Sequence, residues 1–246
     1  MLVKILILLL IASLAIYRVR RARNLGLGAW QALGISIDFR SAVHILAGLL
    51  IAALVMASMF LVEWWGRLLS VDNVAEASTL LNDISTPIVV GFIEEFVFRA
   101  VLLGCLILWL GSRIIALALS AALFAAAHLA NQNVNSLAIL GYLLGGVIYG
   151  IGYLRTGRLW LSFGIHVGWN YTQGRVFGFP VGGGHVTDGL ITQHGVGSSL
   201  WTGGDYGPEG GLIGIIARIA ILLLTLAWLN SSYSHSSSVS DDIPAA

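Results

Sequence analysis

Charge is what this chain has least of. Only 10% of its 246 residues are Asp, Glu, Lys or Arg, while 57% are hydrophobic and the mean hydropathy is +0.88. Water-soluble domains carry about 25% charged residues, so a soluble fold is excluded. The formal net charge of +1 offers no basic footprint for nucleic acid. The single cysteine, Cys105, rules out an intramolecular disulfide and sits in an apolar run, as a buried thiol does. No HExxH helix is present, which removes the commonest zinc-protease signature. The twofold hydropathy repeat of many transporters is missing too, and so is any solenoid-type repeat.

Long apolar runs are what the chain does have. A membrane-spanning helix needs about 20 apolar residues, so the expected fold class is all-α, a polytopic transmembrane helical bundle of about seven spans. The first run, Leu2 to Tyr17, is followed by Arg18, Arg20, Arg21 and Arg23. That order suits a first span better than a signal peptide, whose basic region comes first. A second span covers Ala42 to Val62 and ends at Trp64-Trp65, an interfacial belt. Pro87 opens the third, in the first turn where proline is tolerated. A fourth covers Ile114 to Ala130. The fifth, Ser136 to Leu154, is glycine-rich and suited to close helix contact. A sixth begins near Leu159-Trp160 and a seventh covers Leu212 to Leu229.

The chain thus divides into residues 1–85, with the N-terminal spans, a cytoplasmic connector and a polar loop. Residues 86–173 form a core, 174–211 a glycine-rich loop, 212–230 the last span and 231–246 a disordered serine-rich tail. The loop carries His185 and His194, expected to be solvated or loop-ordering rather than ligands. Most arginines, including Arg113, Arg155 and Arg158, fall on the same side as the first basic cluster. The positive-inside rule then puts the N-terminus outside and the tail inside.

One stretch of the core breaks the apolar rule. Glu94-Glu95-Phe96-Val97-Phe98-Arg99 puts two carboxylates and a guanidinium inside the third span. Each such group costs at least ~2.5–3.5 kcal/mol near the bilayer centre, so a functional site is the default reading. Glu95 and Arg99 are four apart with the acid first, the better orientation for an ion pair. Glu94 projects about 100° away and has no local partner. A carboxylate left unpaired in such surroundings suits a general base. In the fourth span Phe124 and His128 are four apart across three alanines. In the sixth His166 and Asn170 are four apart, with Gly168 between them. Four convergent polar groups on three spans favour catalysis over isolated structural hydrogen bonds.

Glu94-Glu95-x-x-x-Arg99, Phe124-x-x-x-His128 and His166-x-x-x-Asn170, in this order and on these spans, resemble the CAAX protease and bacteriocin-processing family. These are intramembrane proteases that include the type II CAAX prenyl endopeptidases. The resemblance covers about Pro87 to Gln173. It implies that Glu94 and His128 position and activate a water, and that His166 and Asn170 donate to the oxyanion. Glu95 and Arg99 would hold the geometry, with Phe124 as structural support. It implies a peptide or membrane-protein substrate, CAAX-type or in peptide or bacteriocin-related processing. It also implies membrane lipids as surroundings and a multi-pass location in a prokaryotic plasma membrane. No cofactor is expected. A zinc reading remains open and would use Glu94, His128 and His166. Two readings from other classes stand beside the protease: a proton-coupled transporter, and a non-proteolytic scaffold or immunity-type protein.

Overall fold

The computed structural model of the chain describes residues 2–185 and 188–234. Helix α1 is Leu2–Arg23, and α2, Ala29–Ala32, is one turn in the connector. Helix α3, Phe39–Trp65, starts at Asp38, whose carboxylate accepts the Ser41 backbone N–H at 3.0 Å. That bond satisfies a donor the first turn leaves without a partner. Strand β1, Leu69–Val74, and a 3₁₀ turn, Ala77–Leu81, follow. Helix α4, Ser85–Glu95, passes without a break into a π-helical segment, Phe96–Leu103, and then into α5, Gly104–Leu110.

Helix α6 is Arg113–Ala127, and α7 is Ser136–Thr156, capped by Asn135 at 2.8 Å from the Ala138 N–H. Helix α8, Trp160–Tyr171, continues as a second π-helical stretch, Thr172–Val176. Strand β2 is Ile191–Gly195 and α9 is Ser199–Thr202. Two 3₁₀ turns then lead into α10, Leu212–Ser234.

The chain is mostly helical and is an integral membrane protein. Among the described residues three helices are long and apolar enough to cross a bilayer: α3, α7, and α10 over Leu212–Ser232. Several of the seven expected crossings fall on shorter or interrupted helices. Helix α6 has 15 residues and α8 has 12, while α4 and α5 have 11 and 7 on either side of the π segment. About 20 residues of regular helix are needed to cover ~30 Å of hydrocarbon. The last helix also outruns the expected boundary at 230 by reaching Ser234. The remainder of the expected tail, 235–246, lies outside the described residues.

A purely α fold is corrected by one small sheet. Strands β1 and β2 pair antiparallel, from Leu69 opposite Gly195 to Val74 opposite Ile191, with an irregularity between Val71 and Asn73. The sheet ties the polar loop after α3 to the glycine-rich segment. Two strands this short leave no local periodicity to read, and only long-range pairing makes them.

Small residues set the helix spacing. A Cβ on Gly48 of α3 would lie 2.6 Å from the Ile165 N of α8, and one on Gly164 would lie 2.5 Å from the Ile45 carbonyl oxygen. A Cβ on Gly146 of α7 would lie 2.7 Å from the Ala121 Cα of α6. These helices, α3 with α8 and α6 with α7, therefore meet backbone to backbone. The core they enclose includes Met56, Phe124, Tyr149, Ile165, Trp169 and Tyr206.

Candidate active site

Glu94 and Glu95 are the last two residues of α4, at the point where the helix widens into its π segment. Such turns re-aim side chains and occur mostly at functional sites. Glu95 turns inward and is 0% exposed, as is natural only for a paired carboxylate. Its Oε2 lies 3.3 Å from Arg99 Nε, a contact too poorly aligned to be a hydrogen bond. Its Oε1 accepts from His166 Nδ1 at 2.8 Å. Glu95 therefore links Arg99 of the π segment to His166 of α8, a role its sequence position did not disclose.

Glu94 turns the other way, into a cavity of about 300 Å³. Its Oε2 lies 3.8 Å from His128 Nε2 and 3.8 Å from His166 Nε2. That oxygen is shut off from solvent and makes no hydrogen bond among the described residues. Both imidazoles are oriented from behind. His128 Nδ1 donates to the Phe124 carbonyl at 2.8 Å, and His166 Nδ1 donates to Glu95. Both Nε2 atoms are thereby left to face Glu94, the tautomer-setting arrangement common in reactive histidines. Asn170, one turn beyond His166, lines the same cavity.

Aromatic rings brace each imidazole. The His128 ring stacks on Tyr142 at 3.8 Å between centroids, and the His166 ring stacks on Tyr149 at 4.9 Å with 5° between planes. Phe124 meets His166 and Tyr149 edge-on, and the Arg99 guanidinium lies 4.3 Å from the Phe124 centroid. Arg99 thus has a carboxylate on one side and π faces on others, which compensates a buried cation.

The glycine-rich segment closes the far wall. Glu209, 3% exposed, accepts from Arg218 Nη2 at 2.6 Å, Trp169 Nε1 at 3.2 Å and the Gly182 N–H at 3.0 Å. Tyr206 donates to the Tyr142 hydroxyl at 2.9 Å, and Asn131 donates to both tyrosines. Burial pushes the Tyr206 phenol upward, with the Glu209 charge acting in the same direction.

All seven residues singled out from the sequence meet here: Glu94, His128, His166 and Asn170 around the cavity, with Glu95, Arg99 and Phe124 behind them. His185 and His194 do not line the cavity; His194 is exposed and pairs with Asp72 at 2.8 Å. Tyr142, Tyr149, Glu209 and Arg218 escaped the sequence reading. The signals were there. Tyr142 and Tyr149 are two turns apart on a glycine-rich helix. Arg218 is a lone cation in an apolar span and so requires an anion from elsewhere.

Among the described residues no three His, Cys, Asp or Glu side chains form a group able to hold a metal ion. Zinc donors sit about 3.3 Å apart in a tetrahedron of ~2.0–2.1 Å bonds. Glu94 Oε2 stands 3.8 Å from each imidazole Nε2, wider than that spacing.

Residues 76–172 match the family model described as type II CAAX prenyl endopeptidase Rce1-like. No curated protein and no solved structure matches the chain. The matched segment contains α4 through α8 and every residue of the three motifs. Over residues 76–172 the chain is thus similar to the Rce1-like type II CAAX prenyl endopeptidase family, in line with the resemblance its three motifs carry.

Proposed function

We propose that the chain is an intramembrane endopeptidase in which Glu94 and His128 activate a water. The observation that carries this reading is the placement of Glu94 Oε2 at 3.8 Å from both His128 Nε2 and His166 Nε2. That gap is too long for a direct hydrogen bond. It is the right size for one water or one substrate oxygen seated against all three groups. The family match supports peptide hydrolysis as the reaction class.

Each group then has a task. His128 Nδ1 is committed to the Phe124 carbonyl, so its Nε2 accepts. A water between it and the Glu94 carboxylate has two acceptors for its protons and its lone pair free to attack a peptide carbon. Glu94 takes the proton and later delivers it to the leaving amine. The tetrahedral oxygen needs donors. Asn170 supplies an amide N–H. His166 supplies Nε2–H in its imidazolium form, since its Nδ1–H already goes to Glu95. Such preorganised donors usually carry the largest share of catalysis in acyl transfer. The substrate is a peptide or membrane protein, of CAAX or peptide-processing type.

The test uses the purified full chain in lipid vesicles with a prenylated CAAX peptide and its unprenylated twin. Wild type cleaves at least one of them. Glu94→Gln lowers cleavage by about 10²–10⁴-fold, as loss of a general base does, with the thermal midpoint unchanged. Full cleavage by Glu94→Gln would sink the mechanism and leave Glu94 to a proton relay or a scaffold.

A further inference from the structure

A second and larger cavity, about 730 Å³, lies at the other end of the bundle. It is bounded by the end of α1, the connector after it, the turn between α5 and α6, and the turn between α7 and α8. Tyr149 lines the first cavity and Tyr153 this one, one turn further along α7, and no residue lines both. The two cavities are therefore separate sites.

Four arginines line it, Arg18, Arg21, Arg113 and Arg158, and no Asp or Glu among the described residues does. Arg158 is answered from outside the wall by Asp38 at 2.7 Å. Arg18 is not answered by charge. Its guanidinium donates to the Ala100 carbonyl and to the Tyr153 hydroxyl, both neutral. Arg21 and Arg113 are exposed at the rim. Like charges gathered around one space repel unless an anion enters it, and arginine prefers phosphate, which its planar fork binds bidentately.

The rest of the wall is mostly apolar, with Leu25, Ile107, Leu108 and Leu154 among its residues. Beside it, Leu25, Trp109 and Leu110 are 55%, 53% and 44% exposed, so an apolar surface leads out of the cavity. A free phosphate has no use for that surface; acyl chains do. The basic end is also the end that charge bias places in the cytoplasm, where anionic lipids are concentrated.

We propose that this cavity binds the headgroup phosphate of an anionic phospholipid, with its acyl chains against the apolar rim at Leu25, Trp109 and Leu110. The site requires membrane embedding and is independent of the peptidase chemistry.

The experiment titrates phosphatidylglycerol or phosphatidylcholine into the detergent-solubilised full chain and counts retained lipid by native mass spectrometry. Phosphatidylglycerol is expected to bind at one site and phosphatidylcholine not. Arg21→Gln with Arg113→Gln should weaken binding about thirtyfold, or about 2 kcal/mol for two juxtamembrane cations. Arg20→Gln with Arg23→Gln, on the same helix but outside the cavity, should leave it unchanged. Arg21→Lys with Arg113→Lys keeps the charge, so it separates lost binding from lost folding and should bind between the two. Equal retention of phosphatidylcholine would overturn the proposal. So would an equal loss in the Arg20 and Arg23 variant, or displacement of the lipid by equimolar inorganic phosphate.

Discussion

Arg218 Nη2 donates to Glu209 Oε1 at 2.6 Å, and both side chains are 3% exposed. The pair joins the last helix to the glycine-rich segment at the cavity wall. The guanidinium also stacks near Trp169, 4.8 Å from its centroid. Removing one partner of a buried pair strands the other, which typically costs about 3–5 kcal/mol. Glu209→Gln should therefore lower the thermal midpoint sharply. Glu209→Gln with Arg218→Met should recover part of the loss. A lone Glu209→Gln variant as stable as wild type would show that the pair carries no such energy.

Asn170 separates binding from chemistry. The proposed oxyanion role acts in the transition state, so Asn170→Ala should lower kcat about 10²–10³-fold with KM nearly unchanged. An effect confined to KM in steady-state cleavage assays would assign Asn170 to substrate binding instead.

Glu95 acts through His166. Its carboxylate holds Nδ1 at 2.8 Å. Glu95→Gln keeps the shape and removes the charge. Cleavage should fall, because the amide no longer fixes the His166 ring as the carboxylate does. In a double-mutant cycle Glu95→Gln and His166→Ala should be strongly non-additive. Additive losses would mean that the two residues act separately.

Arg175 clamps two loops, reaching Asp83 at 2.7 Å and Asp188 at 2.5 Å. The Thr86 hydroxyl and the Arg175 guanidinium hold the Asp83 carboxyl below its ordinary value of 3.8. A carboxyl held low when folded contributes stability above its unfolded pKa and loses it as pH falls through the folded value. The clamp is thus intact at neutral pH and opens only below about pH 4. Hydrogen exchange at Leu190, whose N–H bonds to the Arg175 carbonyl at 2.7 Å, should report this. Protection relative to an Arg175→Gln variant should vanish in strong acid and stay constant from pH 5 to 8. A change within that neutral range would implicate another group.

The two ends of the bundle predict opposite labelling. Cysteines introduced at Asn131, beside the candidate active site, and at Arg155, at the basic end, should react with impermeant reagents from opposite faces. Asn131 should label from outside and Arg155 from the cytoplasm, if charge bias sets the orientation. Both labelling from one face would invert or collapse that topology.

The sequence by itself determined the membrane class, the positions of the helical segments and the seven motif residues. These are legible because hydrophobic runs report helices, and because a charge in such a run must be compensated. Four-residue spacing then places each motif on one helical face. What only the tertiary structure decided is who compensates whom. Glu95 reaches His166, 71 residues away, and Trp169 reaches Glu209, 40 residues away. Neither distance leaves a periodic trace. The glycine-rich segment reads as a featureless loop because its order comes from contact with α7, α8 and α10, not from its own pattern. The π segment after Glu95 is equally silent in sequence, since the same apolar residues fit a regular helix. It packs against α1, α6 and α7. Glu94 faces the cavity while its neighbour turns into the core, the divergence of about 100° that successive helical residues have; which of the two meets His166 is decided by the packing of α8.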